Sequence, residues 1–425
     1  MPARAAATNP ARDPPCDPAR NERQMRPPAL RLSPWTGTAS ALGVVEIFAW
    51  GSTYYLMAVL AGPMAADTGW SPGAIAAGVS VGLLVSGLSA PRVGRLIRRT
   101  GGRPVLAAGM GLIAAGLALL GLAESLPVYF AAWVVLGLGM SGGLYDAAFS
   151  TLGRLFGRDA RAAITQLTLW GGFASTVCWP LSAWLVGELG WRGACLFYAA
   201  LHVGVTLPIC LLLLPRAPAV APPDRDAAQP APETPPSLLD VRLLAILATG
   251  VTFSMVSAIL AIHLVTLLSA QGYQVAAAIA VGTLIGPAQV AARVGEMMGR
   301  GRHHPIWTMG AATTLVLAGV AGLVLGAPAS AALIAYGAGN GLWSIARGVL
   351  PLALFGPELY AETMGRIAKP VLIAGAAAPT IGALIIDTAG PAVMLDVLAA
   401  AALVPVVAMV VLAAHLKAAR PAPSI

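Results

Sequence analysis

Charged and polar residues stranded among apolar ones are the groups in this chain that could do chemistry. Glu46, Tyr54, Asp146, His263, Gln289, Arg293, Arg347 and Lys369 fall inside or at the edge of stretches of Ala, Val, Leu, Ile and Gly. A charge at mid-bilayer costs about 2.5–3.5 kcal/mol on insertion scales, so each needs a partner or a task. Arg293 follows Gln289 by four residues, which puts both on one helix face. A guanidinium there is suited to grip a carboxylate through two parallel hydrogen bonds, a geometry lysine does not reproduce. The competing account is an arginine near a helix end that snorkels to the headgroups. Lys369 is either a second cation for the same anion or an anchor in the first turn of its helix. Arg347 follows Gly337, Gly339, Asn340 and Gly341, and Asp146 follows Gly137, Gly139, Gly142 and Gly143. A contact between them would neutralise two buried charges and could open and close in a cycle; alternatively, each pairs with charges of its own loop. Glu46, about two turns into the first apolar stretch, is the leading candidate for a proton-carrying carboxylate. His263 is the second, because imidazole titrates near physiological pH, against the simpler role of an interhelical hydrogen bonder. Tyr54, beside Tyr55, could gate or hydrogen-bond a solute, or pack against lipid.

The elements that must position these residues are membrane spans. Of 425 residues, 57% are hydrophobic and 10% charged, where a soluble domain is about a quarter charged, and the mean hydropathy is +0.78. The 48 glycines suit close helix approach in lipid. Stretches of roughly the 20 residues that cross a bilayer are expected at 39–62, 72–92, 104–122, 127–149, 163–186, 192–214, 241–268, 274–295, 306–325, 329–354, 365–386 and 391–415. The fold class is thus an all-α membrane protein of twelve spans. Punctuation as short as Thr68-Gly69-Trp70-Ser71-Pro72 or Gly190-Trp191-Arg192-Gly193 forces the flanking helices to be antiparallel neighbours.

The cations agree with that count. With the N-terminus placed in the cytoplasm, 25 of the 26 Lys and Arg residues fall on the cytoplasmic side, Arg192 being the exception. Both termini are therefore expected inside, in a cell inner membrane. The basic residues report topology, and nucleic acid is not an expected partner. Residues 1–38 are Pro- and Arg-rich with no apolar core of a signal peptide, so they are expected to be a disordered cytoplasmic tail, with Met25 a candidate start. Residues 215–240 are expected to be a cytoplasmic linker between six-helix bundles at 39–214 and 241–415, with a short tail at 416–425. Trp35, Trp70, Trp191 and Trp307 suit an interfacial belt. Cys16, Cys178, Cys195 and Cys210 have no metal-ligand spacing, and no metal or cofactor is expected. Neither a Walker A loop nor a Ser/His/Asp or HExxH constellation occurs, so enzyme readings fall away.

The chain also repeats. Gly94 to Pro104 has the length and frame of Gly295 to Pro305, at an offset of 201 residues that also relates Arg92 to Arg293 and Asp146 to Arg347. Parallel six-helix repeats are an architecture of alternating-access carriers, with the site between the halves near the midplane.

From 39 to 415 these residues resemble the major facilitator superfamily. The likeness centres on a basic loop after the second span, with Gly94, Arg99, Gly101 and Arg103 in place, forming a cytoplasmic gating loop. Arg98 stands where that family usually has an Asp that latches one state, so the latch must be weaker or built differently. The Gly-Pro-x-x-Gly-Gly antiporter signature is absent from the fifth span, where Gly171, Gly172 and Pro180 are loose echoes. Within the superfamily, Gln289-Val-Ala-Ala-Arg293 and Ala368-Lys369 are similar to the monocarboxylate and oxalate/formate porters. There an acidic-x-x-x-Arg pair lies on helix 8, and in the oxalate branch an Arg on helix 8 and a Lys on helix 11 bind the dicarboxylate. Two departures are the neutral Gln289 and the lack of an aromatic-Gly signature in the first span. The resemblance implies a monomeric secondary carrier of a small organic anion such as a monocarboxylate, coupled to protons or a counter-solute. The alternative is an efflux pump for a drug or metalloid, with Glu46 and Asp146 as its binding charges.

Overall fold

The computed structural model describes residues 34–216, 237, 239–299 and 302–418. The expectations for residues 1–33 (with Met25 and Cys16), for the linker at 217–236 and 238, and for 419–425 lie outside the described residues. From Trp35 onward the chain forms one compact unit. Nine helices among the described residues are long and apolar enough to cross a membrane. Two of them, of 53 and 61 residues, are each two spans. They turn at Gly190 (φ 69°) and Gly356 (φ 71°), left-handed backbone that glycine adopts without a Cβ clash. The first span, which is not among the nine, is interrupted at 52–56. Twelve spans result.

They are α1 (Pro34–Gly51, resumed at Met57–Thr68), α2 (Pro72–Thr100), α3 (Gly102–Gly121) and α4 (Leu126–Gly143 and Tyr145–Phe156). Then come α5 (Ala160–Gly171, resumed at 174–189), α6 (191–212), α7 (Val241–Ala270) and α8 (Val275–Gly282 and Ile285–Met298). The chain closes with α9 (Pro305–Val324), α10 (329–355), α11 (357–389) and α12 (Pro391–Ala418).

Three boundaries correct the sequence expectation. Residues 34–38, expected in the tail, already form the first turn of α1. The second span runs on through its arginines to Thr100. The eleventh starts at 357 instead of 365, so Lys369 lies twelve residues into its helix and not in the first turn. Hydropathy misses these turns because they are polar. They stay helical because they pack on one another. A Cβ at Gly94 would come 3.4 Å from the Cα of Glu362, and one at Gly365 would come 3.0 Å from the Cα of Pro91. Helices α2 and α11 therefore meet backbone to backbone, the close approach that small residues permit in lipid.

Besides α5, interrupted at Gly172–Phe173, four spans are irregular along their length. α1 unwinds over 52–56, where Thr53 Oγ1 donates to the Ala49 carbonyl at 2.6 Å and Ser52 Oγ hydrogen-bonds His202 Nε2 at 2.7 Å. Such hydroxyls compete with the helix ladder for backbone groups. α4 is interrupted at an extended Leu144, α8 at Thr283–Leu284, and α6 carries a π-helical turn at His202–Thr206. Irregular backbone at membrane depth survives only inside protein or along a cavity, so these breaks point to where the chain works. Buried apolar residues gather in two clusters. One draws on 39–214 with Ile345, Val349, Leu352, Tyr360, Ala361 and Met364; the other draws on 243–412.

Candidate functional site

Arg293 is 7% exposed, so it does not snorkel. Five residues from the end of α8, its side chain turns inward against α5 and α10. Nε donates to Ser344 Oγ at 2.9 Å, Nη1 to the Thr168 carbonyl at 3.4 Å, and Nη2 to Gln289 Oε1 at 3.3 Å. The guanidinium sits in the space left by Gly172, where any Cβ would collide with Nη1. Thr168 and Gly172 are eight and twelve residues into α5, about 12–18 Å from its start at 1.5 Å per residue. All three partners are neutral, and no ion pair to Arg293 occurs among the described residues. Three of its five N–H groups are used, two of them in long bonds.

The broken part of α1 supplies aromatic neighbours. Tyr54 and Tyr55 lie edge to face with centroids 5.5 Å apart, and Trp50 is 5.5 Å from Tyr54 and 5.2 Å from Tyr145. Tyr145 opens the second half of α4 and stacks on Phe149 at 5.1 Å; its hydroxyl occupies the space left by Gly171. Arg293 lies within electrostatic reach of Tyr55 and Tyr145. Of these rings, sequence reasoning singled out the two tyrosines of α1. Tyr145, Trp50 and Ser344 were missed, although the Tyr145-Asp146 neighbourhood was a usable signal.

Asp146 of α4 and Arg347 of α10 form an ion pair. Each side chain is about one-fifth exposed, at 22% and 21%. Glu46 is fully buried, and neither of its carboxylate oxygens has a hydrogen-bond partner. The charges of Asp146 and Arg347 both reach it, as does the Trp50 indole one turn on. Trp50 Nε1 itself makes no geometrically sound hydrogen bond, so indole and carboxylate face each other without closing.

Two expected members stand apart. Lys369 is exposed on α11 and lines an apolar fissure of about 400 Å³ with Val251 and Met255 of α7 and Pro370, Ile373 and Ile381. Its backbone carbonyl packs where a Cβ on Gly87, midway along α2, would come within 3.0 Å. Arg293 and its partners are not part of that fissure. His263 Nε2 hydrogen-bonds the Pro379 carbonyl at 3.0 Å, tying α7 to α11.

The face carrying the basic loops is latched. Arg98 Nε meets Glu362 Oε2 of α11 at 3.3 Å, and Arg366 holds the other Glu362 oxygen at 3.2 Å. An ion pair between Arg on α2 and Glu on α11 thus lies where the resemblance places an Asp. Arg99 is exposed, Gly101 separates α2 from α3, and Arg103 Nη1 reaches the Leu214 carbonyl at 3.5 Å. A second bridge joins Arg161, in the first turn of α5, to Glu296 of α8 at 3.4 Å, where His303 and Thr308 also converge. On the opposite face Arg192 pairs with Asp67, joining α6 to α1. Glu362→Gln removes one charge from the first latch. Spin labels at positions 95 and 358 are expected to show a wider distance distribution by several ångströms; an unchanged distribution means that Arg98 and Glu362 do not hold this face shut.

Twelve spans, breaks at membrane depth and an interior of paired and unpaired charges define a class: a multi-pass membrane transporter fold. The chain belongs to the Major Facilitator Superfamily, whose model matches residues 42–368. Among known proteins it is similar to monocarboxylate transporter 6 of Homo sapiens, with 30% identity over 40% of this chain and 32% of that one. Monocarboxylate transporter 11 of Mus musculus is 31% identical over 36% of this chain and 32% of its own length. The matches thus span about a third of the length of these relatives. Among solved structures, the human organic anion transporter MFSD10 (TETRAN) superposes with TM-score 0.70 at 16% identity, over 89% of this chain and 100% of that one. The E. coli fucose:proton symporter FucP (N162A) does so with TM-score 0.66 at 14% identity, over 89% and 98%. At those identities the likeness is one of fold.

Proposed function

We propose that this chain is a secondary carrier that moves a small organic monoanion across the membrane by alternating access, with Arg293 as the anion grip and Glu46 as the proton site. One observation carries the reading: a buried guanidinium whose partners among the described residues are all neutral. Such a charge is costly in a membrane, and a carboxylate accepting its two unused N–H groups would offset that cost. The names of the two monocarboxylate relatives agree with it. The rival, a pump for a cationic or metalloid compound, would bind on Glu46 and Asp146, and of these Asp146 is engaged by Arg347. We place the basic face in the cytoplasm of a cell inner membrane, on the distribution of Lys and Arg. The latched state would then face outward.

The test is uptake of labelled monocarboxylates by proteoliposomes, with and without an imposed pH gradient. Accumulation driven by acid outside supports the reading; a carrier that moves cations and no carboxylate overturns it. Glu46→Gln, which neither gains nor loses a proton in the physiological range, is expected to abolish gradient-driven accumulation while retaining anion exchange. If the variant still accumulates substrate against its gradient, the proton site lies elsewhere.

A further inference from the structure

We propose that the site takes an aromatic monocarboxylate: a single carboxylate on Arg293 and a flat ring against the aromatic residues of the α1 break. This rests on the anion reading above and narrows it. Trp50, Tyr54 and Tyr55 lie mutually 5.5–6.2 Å apart, and Tyr145 and Trp179 extend the group at 5.2 and 6.1 Å. These separations are those of offset and edge-to-face ring pairs, the arrangement that a further ring joins most readily.

Ordinary core packing does not account for the polar atoms of this group. Tyr54 and Tyr55 are only half-buried, and neither hydroxyl has a hydrogen-bond partner among the described residues. The buried Trp50 indole N–H is unpartnered too. Inside a membrane such groups are kept without partners only where water or a ligand reaches them. The backbone agrees, because α1 gives up its helix at 52–56, where Tyr54 and Tyr55 sit beside Trp50. Charge arithmetic sets the valence. Arg98, Arg161 and Arg347 each face a carboxylate of the chain, whereas Arg293 faces none among the described residues. Lys369 lines the separate apolar fissure.

The experiment is competition in proteoliposomes containing the full chain, using benzoate, lactate and succinate against labelled benzoate. Benzoate is expected to compete at a concentration at least about tenfold lower than lactate, and succinate to compete poorly. Tyr55→Leu should lower the benzoate-to-lactate selectivity about tenfold, and Tyr55→Phe should keep it. Transport of lactate with equal or better affinity than benzoate overturns the aromatic assignment and leaves the anion reading standing. Competition by succinate equal to that of benzoate overturns the single-charge assignment. If no carboxylate is carried at all, both fail together. The wild-type series alone decides each of these, so a Leu variant that does not fold leaves the test intact.

Discussion

Arg293→Lys is expected to lower carboxylate uptake about 100-fold at sub-saturating substrate, with the protein still folded in detergent. The argument is geometric. Lysine keeps the charge but replaces a planar fork with a point donor on a flexible stem, so the two parallel bonds to a carboxylate go. A charge-assisted hydrogen bond is worth about 1.5–3 kcal/mol net, and a factor of 100 corresponds to about 2.8 kcal/mol. Folding is expected to survive because, among the described residues, Arg293 bonds Ser344, Gln289 and a backbone carbonyl and nothing charged. Each of these is neutral, so removing the guanidinium strands no counter-charge. Arg293→Ala should fold as well and transport less. Initial uptake rates, normalised to monodisperse protein recovered, decide the matter. A lysine variant with flux within threefold of the native chain would show that the site needs charge but no fork.

Some of this site could be seen in the residues before any fold was known, and the reasons are specific. The spans were legible because a bilayer imposes a length on apolar stretches, whatever the tertiary packing. The Asp146–Arg347 contact was legible because both positions occupy one place in a repeat of opposite sign. Residues that a repeat relates can touch only beside the axis relating its copies, so the offset of 201 residues was itself a distance restraint. What stayed hidden depended on neighbours distant in sequence. The polar start of α11 is helical because Gly94 and Gly365 let α2 lie against it, and hydropathy carries no trace of that. Lys369 was misjudged for the same reason. Arg98 looked like a defect in the latch until Glu362, 264 residues on, was seen opposite it. The aromatic group needed the break in α1, which the Ser52-Thr53-Tyr54-Tyr55 run hints at without specifying.

The Asp146→Arg/Arg347→Asp double variant is expected to recover between about a tenth and a third of native exchange, where each single change falls below about a hundredth. Either single variant puts two like charges on facing helices and strands a mostly buried ion. Breaking one side of a buried pair costs about 3–5 kcal/mol, and somewhat less here, where a fifth of each side chain is exposed. The swap restores the bridge along the same line between α4 and α10. It does not restore everything, because Arg347 also lies over the Phe149 ring at 6.0 Å and an exchanged arginine on α4 loses that face. Equal inactivity of the single and double variants, each folded, would show that the two residues act through other partners. Partial recovery would tie the bridge to the cycle through Glu46. That carboxylate is buried within reach of both members. When it holds a proton, Arg347 has one acid to answer; when it loses the proton, Arg347 has two. In the proposed cycle, a proton leaving Glu46 would loosen the contact between α4 and α10.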